Sequence, residues 1–213
     1  MEVLLVRHGQ TANNVVRRHQ DPDIPLTVAG EQQAMRTAKT LQNFEPDYLF
    51  TSPYKRAVQS ASFIAATTGV DPVIEPLVIE LQHPNYLHGQ RLSGLPAAWY
   101  IWRWWWSKAL AVESQGETKA EFLDRIEAVY QKIESLPPES RVVIVSHSVF
   151  INFMLLQKAG ARPISFYAAI RTLIRILRHQ NSGIYYLVGK KKSVAKFGRQ
   201  YQWRVGKYHN ENN

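Results

Sequence analysis

The chain opens Met1-Glu2-Val3-Leu4-Leu5-Val6 and passes without a turn residue into Arg7-His8-Gly9-Gln10-Thr11. Val3 to Val6 is continuously apolar rather than alternating. That is the pattern of a strand buried on both faces, as in parallel sheets covered by helices on each side. The feature constrains the fold because the strand ends in charge. Any structure that buries it must deliver an arginine, an imidazole and a glycine to one point. A guanidinium fork grips two oxygens of an anion, and a neutral imidazole can attack as a nucleophile. The junction therefore suits an anion held beside an attacking nitrogen.

The rest of the chain repeats the sequence of strand then helix. Thr27 is placed to cap a helix whose Ala34, Ala38 and Leu41 share one face. Tyr48 to Thr51 reads as a strand and Ser52-Pro53 as an N-cap followed by proline, with Ala57, Ala61 and Ile64 as the apolar face of the helix beyond. Thr118 to Ser135 carries Phe122, Ile126, Val129 and Ile133 at helical spacing and is stopped by Pro137-Pro138. Val142 to Val145 is another buried strand, followed by Ser146-His147-Ser148 and a helical stretch to Ala159-Gly160; Ile184 to Val188 reads as a last strand. This alternation predicts a three-layer α/β/α fold with a mostly parallel central sheet, in which ligands sit beyond the carboxyl ends of the strands. His8 and His147 each follow a strand and Arg56 opens a helix after another, so three distant segments are predicted to face one rim.

With 213 residues, 45% of them hydrophobic, and no Gly/Ser linker or repeat, the chain is expected to form one domain over 1–213. It has no cysteine, which removes disulfides, thiolate metal sites and cysteine nucleophiles. No signal-type leader is evident and the opening strand is too short to span a bilayer, so a cytoplasmic location is expected. The formal net charge of +9 predicts attraction to anions without choosing among phosphorylated metabolites, nucleic acid and acidic lipid.

Phosphoryl chemistry needs a nucleophile, an anion clamp and a proton donor. His8 can supply the first. Arg56 lies in the first turn of its predicted helix, where free backbone N–H groups also attract an anion. Gly9 lets the backbone approach closely. A protonated second imidazole, His147, can stabilise charge on the equatorial oxygens, and a carboxylic acid can protonate the departing alkoxide.

The blocks that carry these residues resemble the histidine phosphatase superfamily, its phosphoglycerate mutase-like branch. Arg7 to Thr11 with Asn14 is similar to that family's opening signature, and Pro25 to Ala34 to its next block. Ser52 to Ala61 resembles the block with the second arginine, and Gly116-Glu117-Thr118 with Arg125 a further one. Val145-Ser146-His147 resembles the second-histidine block and Asn181 to Ile184 the last core strand, so the likeness spans about residues 3 to 188. The resemblance implies a phosphoglycerate mutase-like fold with His8 as phosphoryl acceptor. Arg7, Arg56 and His147 would clamp the phosphate, Asn14 would help bind it, and Gly9, Gln10, Thr11 and Ser148 would surround it. Glu80 would be the proton donor and later the base toward water, with Glu45, Glu75 and Glu113 as other carboxylates nearby. No metal or cofactor is implied. Ser148 stands where the family usually has glycine, and its hydroxyl either crowds the pocket or adds a donor.

The segment Arg17 to Ala34 is similar to phosphatase-type members and lacks the Gly-Trp-rich block of dedicated glycolytic mutases. The resemblance thus implies metal-independent hydrolysis of a small phosphorylated metabolite through a phosphohistidine, with mutase-type transfer as the alternative.

Residues 82–115 are the expected lid, an insertion containing Trp99-Tyr100-Ile101-Trp102-Arg103-Trp104-Trp105-Trp106. Trp99, Trp102 and Trp106 would share one helical face, and with Arg103 they are the candidate lid residues. The favoured reading is that several of these tryptophans pack the lid onto the domain. A stacking wall for the leaving group is the sharper one, and peripheral membrane contact a third. Arg171, Arg175 and Arg178 recur at helical spacing, and the basic segment 189–213 mixes Lys190, Lys191, Lys192, Lys196 and Arg199 with Phe197, Tyr201 and Trp203. Such a mixture can bind single-stranded nucleic acid. No recognised nucleic-acid motif accompanies it, and a solvated basic face with a lysine-bearing hairpin is favoured. A catalytically weak anion- or nucleic-acid-binding protein is the competing class. Oligomeric state is not set by the sequence, which is compatible with a homodimer.

Overall fold

The computed structural model of the protein describes residues 1–92, 95–106, 116–157, 165–171, 183–196 and 199–206. In chain order the elements are β1 (Glu2–Arg7), α1 (Ala12–Val15), α2 (Val28–Thr40), β2 (Tyr48–Thr51), α3 (Lys55–Thr68), β3 (Pro72–Ile74), α4 (Leu95–Trp106), α5 (Lys119–Glu134), β4 (Arg141–Ser146), α6 (Ser148–Gln157), β5 (Ile184–Lys196) and β6 (Arg199–Gly206). The strands form one sheet in the order β3-β2-β4-β1-β5-β6. β3, β2, β4 and β1 run parallel, and β5 and β6 add an antiparallel edge.

The continuous apolar runs are explained by two cores, one on each face. Val3 and Leu5 of β1 join Val142 and Ile144 of β4 beneath α5 and α6, with Phe122, Ile126, Phe150 and Phe153. The alternate residues Leu4 and Val6 join Val143 and Val145 beneath α2 and α3, with Ala38, Leu41, Ala57, Ala61 and Ile64. This is the expected three-layer arrangement.

Local chemistry sets the helix ends. Thr27 caps α2, its hydroxyl accepting from the Gly30 amide at 3.0 Å. Thr118 and Glu121 form a capping box at the start of α5. One expected cap is different: α3 begins at Lys55 with Tyr54 as its cap residue and no side-chain capping bond. The Ser52 hydroxyl instead pairs with His147 Nε2 at 2.8 Å, a partner that adjacency in sequence does not reveal.

The sheet reverses its winding between β1 and β4. The connection from β1 passes over one face toward β2, and the one from β4 passes over the other toward β5. Their register, with Arg7 opposite Ser146, leaves His8 and His147 leaving the sheet side by side at such a switch point.

The antiparallel edge is longer than expected, since β5 runs to Lys196. Lys190 and Lys191 are exposed on it. Tyr201 and Trp203, by contrast, are buried at 3% and 4% exposure, so they are core residues and not a stacking platform for bases. The Trp203 indole donates to Glu134 Oε1 at 2.8 Å. Arg171 is exposed beside Tyr167. Arg175, Arg178 and Phe197 lie outside the described residues.

Gly9 and Gly30 press the opening loop against α2. A Cβ on Gly30 would lie 2.1 Å from the Gln10 carbonyl oxygen, and one on Gly9 would lie 2.3 Å from the Gly30 carbonyl oxygen. Glycine in a helix interior normally costs stability relative to alanine, by about 1 kcal/mol. Here the sign reverses: Gly30→Ala is expected to destabilise by about 1–3 kcal/mol, as other forced overpacking does. A thermal melt of this variant at or above the wild-type midpoint would show that the loop does not depend on this contact.

Candidate active site

Above the carboxyl ends of β1, β2 and β4 lies a cavity of about 330 Å³. Arg7, His8, Asn14, Tyr54, Arg56, Glu80 and Ser148 are among its lining residues. His8 is 2% exposed, and its Nδ1 sits 2.7 Å from the Gly9 carbonyl oxygen. A carbonyl only accepts, so Nδ1 carries the ring proton and Nε2 keeps its lone pair. Burial first, then the charges of Arg56 and Arg7, hold the His8 pKa well below the usual histidine range. The ring is therefore neutral at pH 7, the form a nucleophile needs.

His147 is fully buried, with its ring centroid 5.1 Å from that of His8. Burial, then Arg56, His8, Arg7 and Arg125, push its pKa well below the usual value as well. In the free site His147 is thus neutral, under the charges of Arg56, Arg7 and Arg125 and beside a second imidazole. A bound dianion offsets those charges and raises the affinity for a proton.

Arg56 is 2% exposed and donates from Nη1 to the Asp21 carbonyl at 2.8 Å. Its guanidinium lies 4.9 Å from the Tyr54 ring centroid. Burial lowers its pKa to about 10, so it keeps its charge at neutral pH. Its buried Nε has no protein partner. Burial also lowers the pKa of Arg7, partly offset by Glu80.

Glu80 is held by three backbone amides. Oε1 accepts from Leu81 at 3.1 Å and Phe150 at 3.0 Å, and Oε2 from Val149 at 3.1 Å. Two of these are the free N–H groups of the first turn of α6, which a carboxylate suits. The loop carrying Glu80 is tied to α5 by Arg125, whose Nη1 donates to the carbonyls of Leu77 and Ile79 at 2.8 and 2.9 Å. Arg125 is itself paired with buried Glu117 at 2.6 Å.

Two buried histidines, a buried Arg56, a half-buried Arg7 and an amide-held carboxylate thus gather at the sheet's switch point. The profile of the histidine phosphatase superfamily (branch 1) matches residues 3–184. The chain belongs to that superfamily.

Among curated relatives, the probable phosphoglycerate mutase GpmB of Proteus mirabilis is 31% identical over 162 residues, covering 73% of each chain. Among solved structures, a mycobacterial glucosyl-3-phosphoglycerate phosphatase in complex with VO3 superposes with a TM-score of 0.69 at 21% identity, covering 96% of each chain. A putative alpha-ribazole-5'-P phosphatase from Escherichia coli gives 0.68 at 19% identity, covering 88% of this chain and 89% of that one. At these identities the structural likeness speaks to the fold, which is the phosphoglycerate mutase-like one.

In this member of the superfamily, the predicted residues divide into those that reach the cavity and those that do not. Arg7, His8, Asn14, Arg56, Glu80 and Ser148 line it. His147 sits directly behind, against His8. Of the other carboxylates, Glu75 is buried in an ion pair with Lys132, Glu45 is 82% exposed beside Arg141, and Glu113 lies outside the described residues.

Gly9, Gln10 and Thr11, expected around the bound group, do not line the cavity. The Gly9 amide donates to Ser60 Oγ at 3.1 Å, the Gln10 amide to Gln33 Oε1 at 2.9 Å, and the Thr11 hydroxyl to Gln20 Oε1 at 2.7 Å. These bonds shape the loop that aims His8. Gly9 is small because Gly30 lies against it, not because a ligand does.

The lid candidates are also rephased. Trp99, Trp102 and Trp106 do share a face of α4, but that face is exposed, at 59%, 51% and 63%. Arg103 is half-buried, and none of the four lines the cavity. Helical spacing places Tyr100, Ile101 and Trp104 there instead. Trp104 and Trp105 are buried, as the packing reading expected, and the Trp104 indole donates to the Glu117 carbonyl at 2.9 Å.

Sequence reasoning missed Tyr54, His19, His83 and His88, which all line the cavity. The signal was present: Tyr54 directly precedes the Arg56 helix, and His83 lies three residues beyond Glu80.

Two outcomes are expected. Burial, with neighbouring imidazoles, lowers His19 to about 4 and His83 to about 3, and His8 and His147 are held low too. All four bind a proton readily only when unfolded. Stability should therefore be full above about pH 6.5 and fall below it by about 1.4 kcal/mol per pH unit for each histidine, until the folded pKa is reached. Thermal midpoints that stay flat from pH 7.5 to pH 5 would refute this. Separately, Arg125→Met leaves Glu117 buried and uncompensated, which should cost about 3–5 kcal/mol in denaturant melts. Should Glu117 and the Glu80 loop relax without loss, the midpoint will not move.

Proposed function

We propose that the chain is a metal-independent phosphomonoester hydrolase acting through a phosphohistidine at His8. The observation that carries this is the bond from His8 Nδ1 to the Gly9 carbonyl, which leaves Nε2 as the basic nitrogen of a neutral ring flanked by Arg7 and Arg56. In the first half-reaction Nε2 attacks phosphorus as the bond to the leaving oxygen breaks. Arg7, Arg56 and His147 neutralise the transferring group, a role for preset charges and donors. Protonated Glu80 gives its proton to the departing alkoxide. Oε2 accepts one backbone bond where Oε1 accepts two, so Oε2 has a lone pair for that proton. In the second half-reaction the Glu80 carboxylate takes a proton from water, and the hydroxide attacks phosphorus. The P–N bond breaks, its electrons return to Nε2, and inorganic phosphate leaves.

Hydrolysis is favoured over return of the phosphoryl group because a mutase must hold a second anion. Of the arginines that line the cavity, Arg7 and Arg56 stand beside His8, while Arg18 is exposed and its Nη1 donates to the Gly89 carbonyl. The names of the GpmB relatives make mutase-type transfer the reading to set against this one.

Purified protein should hydrolyse a generic aryl phosphate, and acid-labile, base-stable label should appear on His8 after quenching with substrate labelled at phosphorus. His8→Ala should lower kcat by at least about a thousandfold, since the covalent route is lost. Undiminished turnover in that variant would sink the assignment. Faster phosphoryl exchange between two phosphoglycerate positions than release of phosphate would replace hydrolysis with the mutase reading.

A further inference from the structure

Resting on the hydrolytic reading of the same cavity, we propose that its far half is a leaving-group subsite for an uncharged, ring-bearing alcohol with its own hydrogen-bonding group. The subsite is built by His19, His83 and Tyr100 and excludes leaving groups that carry a carboxylate or a second phosphate.

The first observation is a run of unsatisfied polar atoms. His19 is 7% exposed, and neither ring nitrogen has a protein partner. Tyr100 is 3% exposed, and its hydroxyl has none. His83 Nδ1 is likewise buried and unpaired. The three rings stand edge to face in a row, with centroids 4.5 Å apart from His19 to His83 and 5.5 Å apart from His83 to Tyr100. All three line the cavity. Orphaned buried donors and acceptors are uncommon because each loses its hydration without replacement. Three together on a cavity wall point to a ligand that supplies the partners.

The second observation is the charge of that wall. The two imidazoles are neutral near pH 7, because burial outweighs any tendency to bind a proton. Arg18 is on this side, but it is exposed and its Nη1 donates to the Gly89 carbonyl at 2.8 Å. His88 faces Asp21 at 2.9 Å. A carboxylate placed against His19, His83 and Tyr100 would be desolvated, and among the described residues no buried arginine or lysine acts on these three rings. A hydroxyl or amide could donate to an imidazole nitrogen and accept from the Tyr100 hydroxyl.

The third observation is apolar shape. Leu81, Leu92, Ile101, Trp104 and Phe153 line the same cavity. The Trp104 indole N–H is committed to a backbone carbonyl, so what remains for a ligand is ring surface. Such a surface suits a flat or cyclic group.

The test compares two esters of nearly equal shape, para-hydroxymethylphenyl phosphate and para-carboxyphenyl phosphate. The first should show kcat/KM at least about tenfold higher, within the range that a polar mismatch in a built site produces. In Tyr100→Phe that preference should shrink by about fivefold or more through KM, while inhibition by inorganic phosphate stays within about twofold, as expected for a group that contacts only the leaving group. Calorimetry on His8→Ala, which cannot form the phosphohistidine, reads the subsite without turnover. At least about tenfold tighter binding of the hydroxymethyl ester there supports the subsite even if hydrolysis by the wild type fails. Equal handling of the two esters, a preference for the carboxylate, or no binding of either ester to His8→Ala overturns it.

Discussion

Because β1 and β4 run parallel and in register, the residues that follow them leave the sheet next to one another, and His8 meets His147. Everything else in the site is arranged around that pairing. β2 lies on the other side of β4, so Ser52 at its end reaches His147, and the helix beyond it carries Arg56 to the same place. The α6 helix starts at Ser148, and its first-turn amides become the seat for Glu80. A sheet register, set by two faces of apolar packing, thus determines which polar groups can act together.

The cost of this arrangement is concentrated positive charge in a buried space. The structure manages it by keeping both imidazoles neutral and by laying the Arg56 guanidinium against the Tyr54 ring and a backbone carbonyl. An anion entering such a site meets charges and donors already in place, with little reorganisation left to occur. The Arg125–Glu117 pair works one layer further out. It contacts the Glu80 loop through backbone carbonyls, so the loop's position follows from α5.

Much of this was legible in the chain. Unbroken apolar runs gave the buried parallel strands, and Thr27 and Thr118 marked helix starts that the structure confirms. The placement of His8, Arg56 and His147 at element ends was enough to predict a common rim, since strand ends in such folds converge. Only local context favoured Glu80 over Glu75, because both lie in the same short loop region. Only packing shows that Glu75 turns into an ion pair with Lys132 while Glu80 turns into the cavity. Gly9 invited a ligand reading for a similar reason: a missing side chain is visible in sequence, but what fills the space is not.

What the sequence by itself determined was the class of fold and the rim where His8, Arg56 and His147 gather, because strand burial and residue type at strand ends are local properties. What only the tertiary structure decided was everything that depends on phase and on distant partners. The α4 helix turns Trp104 inward and leaves Trp99, Trp102 and Trp106 on the surface, a choice made by which side packs against Phe122 and Phe153. His19, His83 and Tyr100 become one wall only when segments dozens of residues apart are folded over the same cavity. Periodicity tells which side chains share a face of a helix, but the direction in which that face looks is set by the core it must cover.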